Sequence, residues 1–152
     1  MKLSTKGRYA MVALTDIALQ NDIKLTPLVE ISKRQDISLP YLEQLFVKLR
    51  RSGLVISSRG PAGGYKLGKS PHEIRVIDIL TAVDETLDPM HKGPSVSGGI
   101  SGSKAQSLTN RLWESMSANF YVFLHQTRLS DILNNDLVPC PAVPNFLILV
   151  DD

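Results

Sequence analysis

Tyr41, Glu43 and Gln44 stand within four positions of one another, and Ser38 precedes them while Lys48, Arg50, Arg51 and Arg59 follow. These residue types suit a polyanion that also displays hydrogen-bonding edges. Gln pairs bidentately with adenine, Glu accepts from the amino group of cytosine, and a Tyr hydroxyl donates to phosphate, while Lys and Arg neutralise the backbone. Arg59 and Gly60 open the run Arg59-Gly60-Pro61-Ala62-Gly63-Gly64, thin and cationic enough to probe a narrow minor groove where negative potential concentrates. An exposed helix face can carry the same residue types without binding anything. The position of these residues among the elements therefore decides between the two readings.

Three helices and a hairpin are needed to place them. A first helix is expected over 5–20, where Tyr9, Val12, Ala13 and Ile17 recur at helical spacing. Thr26 before Pro27 has the order of a helix cap, so a second helix is expected to run to about Arg34, with Asp36 opening a turn. A third should begin at Ser38 as cap and carry Leu39, Leu42, Leu45, Phe46 and Leu49 inward until Gly53 stops it. Leu54–Ser58 and Tyr65–Leu67 then read as two strands joined by the Gly/Pro-rich tip. A fourth helix is expected over 76–84. The expected fold class is mainly α, a winged helix-turn-helix domain plus a long dimerisation helix. Its parts are residues 1–87 as the DNA-binding domain, 88–107 as a flexible Gly/Ser loop, 108–136 as the dimerisation helix with a short helix from Ser130 to Asn135, and 137–152 as a Pro-rich tail. On the long helix Leu108, Leu112, Trp113, Met116, Phe120, Phe123 and Leu124 form a stripe too apolar to stay exposed on a lone helix. Trp113 belongs to that packing, and His72, in the turn before the fourth helix, reads as solvated.

The 152 residues carry a net charge of +2. Split by position, residues 1–75 hold thirteen Lys and Arg against six Asp and Glu, and residues 76–152 hold four against nine, so +7 faces −5. Such asymmetry points to a nucleic-acid-facing half joined to a half with another task. Enzyme classes find no footing, because no nucleophile motif, phosphate loop or pair of catalytic carboxylates is present. Gly63-Gly64 lies on a hairpin and does not open a helix, so it is no dinucleotide fingerprint. No apolar run reaches the length of a membrane span, and Asp16 interrupts the N-terminal apolar stretch, so no membrane partner and a cytoplasmic location are expected. A single cysteine excludes an intramolecular disulfide and CxxC metal sites.

Leu3-Ser4-Thr5-Lys6-Gly7-Arg8-Tyr9-Ala10, Ile37-Ser38-Leu39-Pro40-Tyr41-Leu42-Glu43-Gln44-Leu45, Arg59-Gly60-Pro61-Ala62-Gly63-Gly64-Tyr65 and Ala82-Val83-Asp84-Glu85 closely resemble the IscR-like family of iron–sulfur cluster regulators, winged helix-turn-helix transcription factors. The resemblance covers roughly residues 1–135. It implies a homodimer on a near-palindromic operator in double-stranded DNA, most simply a repressor. Tyr41, Glu43 and Gln44 would read the major groove, and Arg59 with Gly60 would enter the minor groove. Pro40 departs from the serine often found there, which removes one backbone-contacting hydroxyl.

The resemblance also implies a [2Fe–2S] cluster held by three cysteines and a histidine. This chain has Ser95, Ser101 and Ser107 at the cysteine spacing and Asn110 at the histidine position. A serine hydroxyl stays protonated near neutral pH and is a poor ligand for soft iron–sulfur centres. Two readings remain. In one, an iron–sulfur cluster is ligated atypically, with Cys140 giving one thiolate per subunit and His91, His125, Asn110 or a carboxylate as candidate co-ligands, drawn from one subunit or from both across the dimer. In the other, the cofactor is absent and a regulator of the same fold senses another signal.

Overall fold

The computed structural model describes residues 3–20, 24–85 and 103–137. Helix α1 (Thr5–Leu19), α2 (Leu28–Gln35) and α3 (Leu39–Arg51) are followed by strands β1 (Val55–Ser58) and β2 (Gly64–Leu67). Then come α4 (Val76–Ala82), α5 (Lys104–Gln126) and α6 (Leu129–Leu133). Leu14, Ile31, Leu42, Phe46, Leu49, Ile74 and Ile79 are fully buried in one core shared by all of these elements except α5, whose Leu124 packs in a second, smaller cluster. The strands are antiparallel in the register Val55↔Leu67 to Ser58↔Gly64. This is the expected winged helix-turn-helix order.

Four local features depart from the sequence reading. Thr26 does not cap the second helix. It pairs with Tyr65, each amide donating to the other's carbonyl at 2.8 Å, so a single antiparallel bridge ties the residue before α2 to the hairpin, and Pro27 takes the cap position. The close approach requires Gly64, because a Cβ there would lie 2.6–2.8 Å from Thr26 and Pro27 backbone atoms. Ser38 occupies the cap position of α3, but its hydroxyl makes no capping bond. Pro40 is the second helical residue and has no N–H, which removes one of the two amides a capping hydroxyl accepts from. The fourth helix ends at Ala82 instead of reaching Asp84, which turns out of it with φ 55°.

The fourth departure concerns the loop assigned to 88–107. The long helix starts at Lys104, because the Ser103 hydroxyl accepts from the Gln106 amide at 3.2 Å and caps it. The short helix likewise runs over Leu129–Leu133. Two expectations hold as written: Asp36 ends α2 in the left-handed region at φ 53°, and Gly53 ends α3 at φ 76°. At Gly53 the chain closes with Gly53 N–H to Arg50 O at 3.0 Å and Leu54 N–H to Leu49 O at 3.1 Å. That pair of bonds satisfies the last carbonyls of α3 and turns the chain into the hairpin.

Two buried carboxylates fix the angles between helices. Asp16 on α1 is 3% exposed. It accepts from Arg34 Nη2 at 2.6 Å, Arg34 Nε at 3.1 Å and Gln35 Nε2 at 2.6 Å, clamping the end of α2. Burial alone would raise the Asp16 pKa, but these bonds and the Arg34 charge outweigh it and hold the carboxyl below the ordinary aspartate value. Glu85 accepts from Ser4 N–H at 3.2 Å, Gly7 N–H at 2.9 Å and the Ser4 hydroxyl, satisfying amides at the start of α1.

A carboxylate with a depressed folded pKa stabilises the fold above its unfolded pKa, and the contribution is lost as pH falls through the folded value. Stability should therefore decline below about pH 4, where free aspartate protonates. Asp16→Asn is expected to cost ~1–3 kcal/mol at neutral pH, toward the lower end because Arg34 remains partly hydrated. It should also flatten the stability–pH curve below about pH 5, which urea denaturation across that range would check. An unchanged slope would show that the Asp16 clamp does not carry this dependence.

Candidate nucleic-acid interface

Helix α3 turns one face fully inward, through Leu42, Leu45, Phe46 and Leu49. Glu43, Gln44, Arg50 and Arg51 are exposed on the other. Successive residues step by about 100°, so Glu43, Gln44 and Arg51 share the centre of the outward face while Tyr41 and Lys48 fall on one flank and Arg50 on the other. The contacts follow that division. The Tyr41 ring is half-buried and meets the edge of Tyr9 at 5.6 Å and 89°. Lys48 Nζ pairs with Asp84 at 2.7 Å, and its hydrogen bond and charge hold the Asp84 carboxyl below its ordinary value. On the opposite flank Arg50 donates to the Ser57 hydroxyl of the wing at 3.3 Å.

The wing extends beyond this face. Arg59 and Gly60 are exposed at its tip. Gly60 lies at φ 112°, in a region that side-chain-bearing residues rarely adopt, and the Gly63 amide closes the turn onto the Gly60 carbonyl at 2.9 Å. A Cβ at Gly63 would approach the Ser58 carbonyl to 2.5 Å, so the narrow tip depends on this glycine too. At the base of the wing Tyr65 packs edge-on against Phe46, with ring centroids 4.8 Å apart. The wing is thereby fixed to the inner face of α3. Ser38, Glu43, Gln44, Arg51, Arg59 and Gly60 are all exposed, whereas Lys48 and Tyr41 have protein partners that sequence spacing did not reveal.

The metal candidates are not brought together in this way. His91 and Cys140 lie outside the described residues, as do Ser95 and Ser101. Ser107 and Asn110 are on the first half of α5. His125 is in its last turn, with Nδ1 3.1 Å from the Tyr121 carbonyl. Fifteen residues of helix separate Asn110 from His125 by about 22 Å, so the two cannot ligate one metal within a subunit. A site that used both would have to take them from different subunits. Among the described residues, no three His, Cys, Asp or Glu side chains gather as a metal site. Ser107 and Asn110 supply only hard, neutral oxygen or amide donors, which do not fit the thiolate ligation of a [2Fe–2S] centre.

Only part of the apolar stripe on α5 is covered. Leu124 packs against Val76, Ile77 and Leu80 of α4, with Phe120 beside them. Leu108, Leu112, Trp113, Met116 and Phe123 remain 41–56% exposed. No helix among the described residues is long and apolar enough to cross a membrane.

Comparison with known proteins agrees with this architecture. The chain is 66% identical to the HTH-type transcriptional regulator IscR of Cereibacter sphaeroides over 154 residues, covering 100% of this chain and 99% of that protein. It is 45% identical to the HTH-type transcriptional regulator IscR of Escherichia coli over 138 residues, which is 91% of this chain and 83% of that one. Among solved structures it is similar to CymR, the global cysteine regulator of B. subtilis, with a TM-score of 0.75 and 30% identity over 89% of this chain and 98% of that one. It is also similar to the IscR of T. potens, with a TM-score of 0.64 and 32% identity over 94% and 96% of the two chains. These relatives are transcriptional regulators and not enzymes. The profile of the Rrf2 family, described as an iron-dependent transcriptional regulator, matches residues 3–135, and the chain belongs to that family of DNA-binding winged-helix regulators.

Proposed function

We propose that the protein is a homodimeric repressor that binds a near-palindromic operator and responds to iron status. The observation that carries this reading is the outward face of α3 beside the Arg59 tip, both held by one core so that they can meet adjacent grooves of a duplex. Glu43 and Gln44 read base edges in the major groove, Arg51, Arg50 and Lys48 hold phosphates, and Tyr41 and Ser38 contact the backbone from the rim. Arg59 with Gly60 enters the minor groove. A dimer that occupies an operator blocks the promoter it overlaps, which is the simplest route to repression.

The exposed apolar face of α5 supports the dimer. Leu108, Leu112, Trp113 and Met116 leave too much apolar surface in water for a lone helix, and a second copy would cover it. Two-fold symmetry in the protein then matches two-fold symmetry in the operator. Iron dependence is supported by the family to which the chain belongs. Ser107 and Asn110, where thiolate and imidazole are expected, favour a second reading in which this member keeps the DNA function without the cluster.

Arg59→Ala is expected to weaken operator binding by ~1–3 kcal/mol at fixed salt, the worth of one good specific contact. Fluorescence anisotropy would measure it, and an unchanged affinity would remove Arg59 from the interface. Leu112→Glu together with Met116→Glu should convert dimers to monomers in sedimentation equilibrium, because four carboxylates would then face one another across the joint. Persistence of the dimer would place the joint elsewhere. Protein isolated without oxygen should contain iron and absorb between about 300 and 600 nm, the range of iron–sulfur charge transfer. Cys140→Ala should abolish both signals. Colourless, iron-free wild-type protein after anaerobic reconstitution would select the second reading.

A further inference from the structure

Val47 is an apolar side chain at the centre of a polar face. It lies on α3 and is 49% exposed, whereas Leu42, Leu45, Phe46 and Leu49 of the same helix are buried. Helical geometry puts Glu43 about 40° to one side of it and Gln44 about 60° to the other, with Arg51 about 40° round and one turn on. A β-branched residue at an exposed helical position costs a few tenths of a kcal/mol in helix propensity relative to alanine. It also exposes apolar area without adding to the core. Val47 is therefore a poor choice for stability in the isolated chain. Pro40, exposed about two turns earlier and about 20° away around the helix, extends the same apolar line toward the N-terminus of α3.

The major groove has one apolar feature, the C5-methyl group of thymine. We propose that Val47 contacts a thymine methyl in each operator half-site, making it a specificity residue on the same face as the polar readers Glu43 and Gln44 and one turn beyond them. The inference rests on the DNA-binding reading above. Glu43 and Gln44 read hydrogen-bonding edges, and Val47, about one helical turn further along α3, reads the methyl that distinguishes thymine from cytosine. A short branched side chain suits this role, because it reaches a methyl group without competing for the hydrogen bonds on either side.

The test begins by enriching binding sites for the full-length wild-type protein from a random duplex pool. Each thymine of the enriched site is then replaced in turn by deoxyuridine, which removes the 5-methyl group and leaves every hydrogen-bonding edge intact. Wild-type protein is expected to lose about fourfold in affinity per half-site at one symmetric thymine pair, the effect of uncovering one methyl-sized group. Val47→Ala should bind the thymine site more weakly and lose this sensitivity at that pair, with melting temperature showing that the variant is folded. If no thymine position responds, or if Val47→Ala stays as sensitive as wild type, the inference is overturned while DNA binding stands. If the pool yields no enriched site, the DNA-binding reading itself fails, and the inference falls with it.

Discussion

The packing of Phe46 fixes the geometry of the DNA-facing surface. Its ring is fully buried on the inner side of α3 and meets Tyr65 of β2 edge-on at 4.8 Å. The backbone of Tyr65 in turn exchanges two hydrogen bonds with Thr26, just before α2. A two-stranded ribbon is marginal by itself, so the wing owes its orientation to this junction. One aromatic pair and one backbone bridge thereby set where the Arg59 tip stands relative to Glu43 and Gln44. A large-to-small change at Phe46 would leave a cavity costing ~3–5 kcal/mol and would release the wing from the helix it accompanies.

Charge is distributed so that cations face outward and carboxylates bind the framework behind them. Asp16 ties α1 to α2 through Arg34 and Gln35. Glu85 satisfies amides at the start of α1, and although burial works against its charge, hydrogen bonds from Ser4 and Gly7 and the nearby Lys6 hold its pKa below the ordinary value. Asp84 engages Lys48 through its side chain and Lys6 through its carbonyl. The Lys48–Asp84 pair is solvent-exposed, with 39% and 73% of the two side chains accessible. Such a pair contributes little to stability, so releasing Lys48 for the phosphate contact proposed above would cost little. The −5 half of the chain therefore does more than balance the +7 half: its first acidic residues hold the recognition unit in shape.

Local signals made the helices, the hairpin and the outward residues legible in the sequence. The apolar spacing of α3 gave its inner face, and Gly53, Gly60 and Gly63 marked the positions where the backbone must turn tightly. Contacts between distant residues left no such mark. Thr26 looked like a cap because Pro27 follows it, but pairing with Tyr65, thirty-nine positions away, prevailed. Lys48 read as a free cation because its partner Asp84 is thirty-six positions on. Asn110 and His125 were named by ligand chemistry alone, and only the structure shows that the continuity of α5 keeps them apart within one subunit. Val47 was overlooked because an apolar residue within a helix is usually assigned to the core, although the helical spacing sets it opposite Leu42, Leu45 and Leu49 and its exposure bears that out.

The long helix determines what a signal in this protein has to accomplish. The end of α5 is joined to the DNA-facing unit by Leu124 against α4, by the Val76 amide donating to the Thr127 carbonyl at 2.9 Å, and by the Leu129 amide donating to the Ile74 carbonyl at 2.9 Å. Helix α4 is joined to α1 and α3 through the Asp84–Glu85 turn that follows it. These links make α5 a lever attached to the recognition helix, about 34 Å long for its 23 residues. In a dimer built on α5, a 10° change in the crossing of the two helices turns each by about 5°, and over the full length of α5 that moves its far end by about 3 Å, close to the roughly 3.4 Å rise of one base pair. Operator half-sites one helical turn apart tolerate no such error. If the proposed dimer is built this way, a signal that changes the crossing angle by about 10° would misplace each reading surface by about one base-pair rise, and it need not touch the DNA-reading surface.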